Sequence, residues 1–234
     1  MDVRVFATPD TLQKGALDGK AAIVIDALRM TSVAATAMEH GCAGLLAVAE
    51  VEEARAAARQ YGALLGGERG ALKIEGFDFS NTPQEYTRPR IAGRRLVMTT
   101  SNGTRAILAA AGARRVLLGA FVNASAAARA VDGEAGVGIV CAGTLGAFTL
   151  EDALAAGAIV ERLCQKTRAV RLDDMALAAH RLYRGARGDL AAALAETEHY
   201  GRLTRLGLEA DLVYCLREDI LGAVPERQAD GWFR

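Results

Sequence analysis

The hydrophobic residues of this chain fall into short, nearly unbroken runs at 22–25, 45–48, 96–99, 116–118 and 137–140, all rich in Val, Ile and Leu. Runs of this length are strand-sized, and the lack of polar alternation predicts strands covered on both faces. The segments between them, 31–40, 51–61, 104–111, 124–131 and 150–164, are rich in Ala, Leu, Glu and Arg and read as helices. Strand and helix in alternation predict an α/β fold with a mostly parallel sheet sandwiched by helices. From Asp173 onward the pattern is almost purely helical, with a turn-rich break at 181–188. No internal repeat or low-complexity linker interrupts the chain. The expectation is one domain over 1–234 whose C-terminal lobe is helical from about residue 173.

In an open parallel sheet, ligands bind beyond the carboxyl ends of the strands, so the strand-to-loop junctions are where chemistry is sought. Three are unusually polar. After the first run come Asp26, Arg29, Thr31 and Ser32. Helix capping by Thr31 or Ser32 accounts for a hydroxyl, but a carboxylate directly ending a buried strand needs a cationic partner. After the run at 96–99 come Ser101, Asn102, Gly103, Thr104 and Arg105, a set suited to holding an anion at a helix start. After the run at 137–140 come Cys141, Gly143 and Thr144, followed by Thr149 and Asp152 at capping-box spacing. Asp152 is therefore either a cap or a metal ligand. Between the first two junctions, 66–70 and 76–83 read as a glycine-rich exposed loop of the size that often carries function. Glu68 and Asp78 offer hard oxygen ligands there, and Arg69 and Lys73 offer positive charge.

Composition narrows the classes. Half of the 234 residues are hydrophobic, enough for a large core, and 28 Lys and Arg against 28 Asp and Glu leave no basic field for nucleic acid or an anionic membrane. No apolar run approaches the roughly 18 residues of a membrane span, and no basic segment precedes an apolar one near Met1. The four scattered cysteines, Cys42, Cys141, Cys164 and Cys215, read as reduced thiols, so a cytoplasmic protein is expected. Familiar phosphate motifs are missing. There is no P-loop; Gly136-Val137-Gly138 precedes its strand; Ala147 stands where a cysteine phosphatase loop needs arginine; Leu28 stands where an Asp-x-Asp motif needs aspartate. His40, His180 and His199 all fall in helical stretches, so a histidine nucleophile is not expected.

The blocks 24–32, 66–70, 76–83, 99–105 and 141–144, with weaker matches at 199–203, 211–215 and 224–225, occur in order along nearly the whole chain. Together they resemble the 2-phosphosulfolactate phosphatase family, magnesium-dependent enzymes of coenzyme M biosynthesis. Met30 and Thr82 depart from the usual alanine and serine without removing a charge. The resemblance implies hydrolysis of a small anionic phosphomonoester, 2-phospho-3-sulfolactate, by a homodimer that requires Mg2+. The several negative charges of such a substrate call for cations, so catalytic roles are expected of Asp26, Arg29 and Arg105, with magnesium on Asp26, Glu68 or Asp152. Substrate contacts are expected from Thr31, Ser32, Arg69, Lys73, Ser101, Asn102, Gly103, Thr104, Cys141, Gly143 and Thr144. The attacking group is open between water and a side chain. Another phosphorylated hydroxy acid as substrate, or a non-catalytic anion-binding module, are the alternatives.

Overall fold

The computed structural model describes residues 1–166 and 169–234. Its strands are β1 (Asp2–Phe6), β2 (Ala21–Ile25), β3 (Gly44–Ala47), β4 (Leu64–Arg69), β5 (Leu72–Lys73), β6 (Arg95–Thr99), β7 (Arg115–Gly119), β8 (Gly136–Cys141) and β9 (Arg171–Leu172). The helices are α1 (Met30–Glu39), α2 (Val51–Tyr61), α3 (Arg88–Ile91), α4 (Gly103–Ala109), α5 (Ala124–Ala130), α6 (Leu150–Lys166), α7 (Asp174–Ala186), α8 (Leu190–Leu194), α9 (Glu198–Arg205) and α10 (Glu209–Cys215). All five hydrophobic runs are strands, as expected, and the α/β class holds.

The strands form two sheets instead of one. The first has the order β7-β2-β8-β1-β9 and is parallel throughout; the second, β3-β6-β4-β5, is parallel except for the short hairpin strand β5. Alternate residues of one strand face different cores, which is why the runs are continuous. Ile23 and Ile25 of β2 pack with α5, α6 and α7, while Ala22 and Val24 pack with α1 and α4 against the second sheet. On that second sheet Leu96 and Met98 face inward to α1 and α4, and Val97 faces α2 and Trp232. The layers are therefore helix, sheet, helix, sheet, helix.

Three elements differ from expectation. The supposed exposed loop at 66–70 is largely β4, with Gly66, Gly67 and Glu68 buried. Its glycines are required by close approach: a Cβ on Gly67 would overlap the Thr99 carbonyl oxygen of β6, and its φ of 142° disfavours a side chain. The break expected at 181–188 is helical as far as Ala186, because Tyr183 is buried against α6 and its hydroxyl accepts a hydrogen bond from Arg162. Past α10 the chain is not helical. Leu117 pairs with Glu226 and Leu45 with Phe233, so this tail ties the first sheet to the second. No helix among the described residues is long and apolar enough to cross a membrane.

Replacing Gly67 by alanine should push β4 away from β6 and lower stability by about 1–3 kcal/mol. Gly112→Ala, with nothing within 4 Å of the added carbon, should change it by less than about 0.5 kcal/mol. Urea unfolding of the two variants checks this; equal midpoints would contradict the packing described.

Candidate active site

Because the strands are parallel, the carboxyl ends of β2 and β8 in one sheet and of β4 and β6 in the other open on the same cavity, of about 210 Å³. Asp26 and Arg29 follow β2, Glu68 ends β4, Ser101 and Asn102 follow β6, and Thr144 follows β8. Helix α9 covers the opening with His199, Arg202 and Leu203. Six of the expected site residues are thus brought together.

Asp26 is buried at the edge of the first sheet. Its Oδ1 accepts a hydrogen bond from the Met30 amide at 3.3 Å, in the first turn of α1. Gly103 leaves room for it: a Cβ there would lie 2.6 Å from Asp26 Oδ2. Thr31 and Ser32 are fully buried and do not face the cavity. The Thr31 hydroxyl donates to the Asp26 carbonyl and accepts from its amide, and Ser32 donates to the Ala27 carbonyl. They fix the turn that aims Asp26. Burial pushes the Asp26 carboxyl up to about 6; the positive charge of His199 and the Met30 amide lower it, while Glu68 and Glu151 raise it further.

The other carboxylates are held by backbone amides. Glu68 accepts from Ala71 and Ser101, both at 2.7 Å, so it ties β4 to the loop after β6 and still lines the cavity. Asp152 accepts from Ala27 and Gly143, both at 2.9 Å, and does not line it. Burial, with Glu151 and Asp26 nearby, pushes Asp152 up to about 8. Asp152 therefore joins the β2 and β8 loops as a brace. Gly143 donates to it through its amide. Cys141 is buried, its thiol raised well above the ordinary range by burial and by Asp152 and Glu151. Thr104 and Thr100 cap each other's backbone amides, which buries Thr104 as well.

The arginines divide differently from expectation. Arg29 is almost wholly buried, and its guanidinium is engaged by Asp211 of α10, by Thr82 at 3.2 Å and by the Ala71 carbonyl at 3.0 Å. Its charge is spent on locking α10 to the site loops. Arg69 points to the other side of β4, donating to the Ala49 carbonyl and Thr99 hydroxyl. Arg105 pairs with Asp10 on the surface, and Lys73 is exposed on β5. None of these last three lines the cavity, and Asp78, whose Oδ2 accepts from the Leu65 amide, does not either. Among the described residues, the arginine that lines it without a carboxylate partner is Arg202, which donates only to the Gly70 carbonyl at 3.2 Å.

Sequence reasoning also missed Glu151, His199 and Asn81. His199 Nδ1 donates to Glu151 Oε1 at 2.6 Å. Burial would lower the histidine, but the Glu151 hydrogen bond and the charges of Glu151, Asp26 and Asp152 outweigh it and hold its pKa above the ordinary value. Asn81 lines the cavity, and its buried Oδ1 has no hydrogen-bond partner. The signal for α9 was the spacing of His199 and Arg202, three residues apart and hence on one helix face.

Among the described residues no three His, Cys, Asp or Glu side chains are grouped to hold a metal ion by themselves. Magnesium, however, is commonly bound through one or two carboxylates, with water and substrate oxygens completing its shell. Asp26 and Glu68, two hard-oxygen donors on one cavity, fit an open site of that kind.

The family model described as 2-phosphosulpholactate phosphatase matches residues 6–230. A protein of Clostridium acetobutylicum named "Probable 2-phosphosulfolactate phosphatase" is 40% identical over 97% of each chain. Proteins with the same name from Caldicellulosiruptor saccharolyticus and Symbiobacterium thermophilum are 42% and 43% identical, covering 97% and 89% of this chain and 96% and 91% of their own.

Cys141, buried and with a raised pKa, is placed as a packing residue. Cys141→Ser should cost roughly 1–3 kcal/mol of stability yet keep most of its turnover. Collapse of kcat by several orders of magnitude in a folded variant, as follows removal of a nucleophile, would contradict that placement.

Proposed function

The chain belongs to the 2-phosphosulpholactate phosphatase family, and from that premise we propose that it hydrolyses 2-phospho-3-sulfolactate to 3-sulfolactate and phosphate with the help of magnesium. The observation that carries this reading is the meeting of Asp26 and Glu68 with Arg202, an arginine that has no carboxylate partner among the described residues, on one small cavity. Its volume of about 210 Å³ suits a compact metabolite and lies below the roughly 300–1,000 Å³ of drug-sized pockets.

The substrate brings phosphate, carboxylate and sulfonate into a cavity whose floor is itself acidic. Arg202 supplies a guanidinium for the carboxylate or sulfonate, and the Asn81 amide and Ser101 hydroxyl supply neutral hydrogen-bonding groups. Magnesium held by Asp26 and Glu68 would offset the remaining charge and polarise the phosphoryl group. The Met30 amide and the turn pinned by Thr31 hold Asp26 in position for that role.

Phosphate release should be measured with 2-phospho-3-sulfolactate beside phosphoglycolate, phospholactate and phosphoglycerate. Turnover of the first should exceed the others, disappear in EDTA and return with magnesium. Full activity in chelator would overturn the metal role, and preference for another ester would overturn the substrate.

A further inference from the structure

We infer that His199, oriented by Glu151, is the catalytic acid that protonates the leaving oxygen as the phosphoryl group departs. This rests on the phosphomonoesterase reading above and assigns a chemical role within it to the helix that covers the cavity.

Expelling a hydroxy acid from a phosphomonoester is difficult if its oxygen leaves as an alkoxide, so a positioned proton donor is worth a large factor in rate. Asp26 and Glu68 reach the cavity from the sheet edges, while His199 reaches it from α9. Its Nδ1 is taken up by Glu151 Oε1 at 2.6 Å, which fixes the ring. No described residue hydrogen-bonds the other ring nitrogen, Nε2, and the ring lines the cavity.

Glu151 itself is buried at the start of α6, adjacent to the Asp152 brace, and its Oε2 has no hydrogen-bond partner. A buried carboxylate whose one side-chain hydrogen bond among the described residues goes to an imidazole is a positioning residue for that imidazole. Three acidic groups near the ring, Glu151, Asp26 and Asp152, favour its protonated form, and Arg202, one turn along α9, lines the same cavity. A purely structural histidine would not need to face the cavity beside Arg202.

The step balances. The ester P–O bond breaks with its electron pair remaining on the hydroxy-acid oxygen, which takes the proton from Nε2. Water supplies the new oxygen on phosphorus, and the proton it releases restores the charged ring.

The test is the dependence of turnover on the leaving group, measured for the full chain with magnesium present. His199→Asn should reduce kcat on 2-phospho-3-sulfolactate, an alkyl ester, by about 10²–10⁴-fold. On 4-nitrophenyl phosphate, whose phenolate leaves without a proton, the loss should be at least about tenfold smaller. Glu151→Gln should show the same skew to a lesser degree. If His199→Asn does not fold, as judged by circular dichroism, His199→Gln serves for the same comparison. Equal losses on the two esters, or unchanged alkyl turnover in a folded variant, would overturn the inference. If the native chain cleaves phospholactate but not phosphosulfolactate, the substrate reading fails and the comparison is made on phospholactate. A native chain inert to every phosphomonoester overturns both.

Discussion

Removing the Asp26 carboxylate from water at the end of a fully buried strand is the constraint around which this structure is arranged. A charge in that position is costly without a counter-charge, and the nearest arginine in sequence, Arg29, is already committed to Asp211. Partial compensation comes from the Met30 amide at the start of α1 and from His199, while Glu68, Glu151 and Asp152 add to the negative charge. Two of those three are held by pairs of backbone amides and the third by His199. The result is a rigid acidic floor short of positive charge, the deficit that the proposed magnesium ion would offset.

The two-sheet architecture makes this arrangement rigid. The strands β2, β8, β4 and β6 run parallel within their sheets, so four loops reach the cavity from strand ends whose backbones are fixed by pairing on both sides. Asp152 links the loops after β2 and β8, and Glu68 links β4 to the loop after β6. Arg29 and Asp211 then fasten α10, and α9 beside it, over the opening. A site built in this way holds its carboxylates in place before any ligand enters, which spares reorganisation during the reaction.

Much of the scaffold was legible in the sequence because a short, continuous run of Val, Ile and Leu bounded by polar segments suits a strand covered on both faces. β1 was missed because five residues at the chain start, Asp2–Phe6, give too short a pattern. β4 was missed because its glycines read as loop, whereas they serve close packing under β6 and Tyr86. In the site, Asp26 and Glu68 were found from their place beside apolar runs and in glycine-rich blocks. The arginines' ion-pair partners, Asp211 for Arg29 and Asp10 for Arg105, are distant in sequence and invisible to local reading. Glu151 and His199 were missed for the same reason: they are 48 residues apart, and only the fold makes them a pair.

The central claim, that the buried Asp26 carboxylate lacks sufficient counter-charge, is tested most directly by the pH dependence of stability in chelator. Its pKa rises from 3.8 in the unfolded chain to about 6 in the fold, so between those values the folded state binds more protons than the unfolded one. The stability this group contributes is therefore complete below the unfolded value and is lost as pH rises through the folded one. Urea unfolding of the native chain and of Asp26→Asn, from about pH 4 to about pH 7, isolates the group. The native chain should lose stability relative to the variant as pH rises, and magnesium at neutral pH should restore it. Parallel curves for the two proteins, or a native chain that gains on the variant as pH rises, would contradict the account.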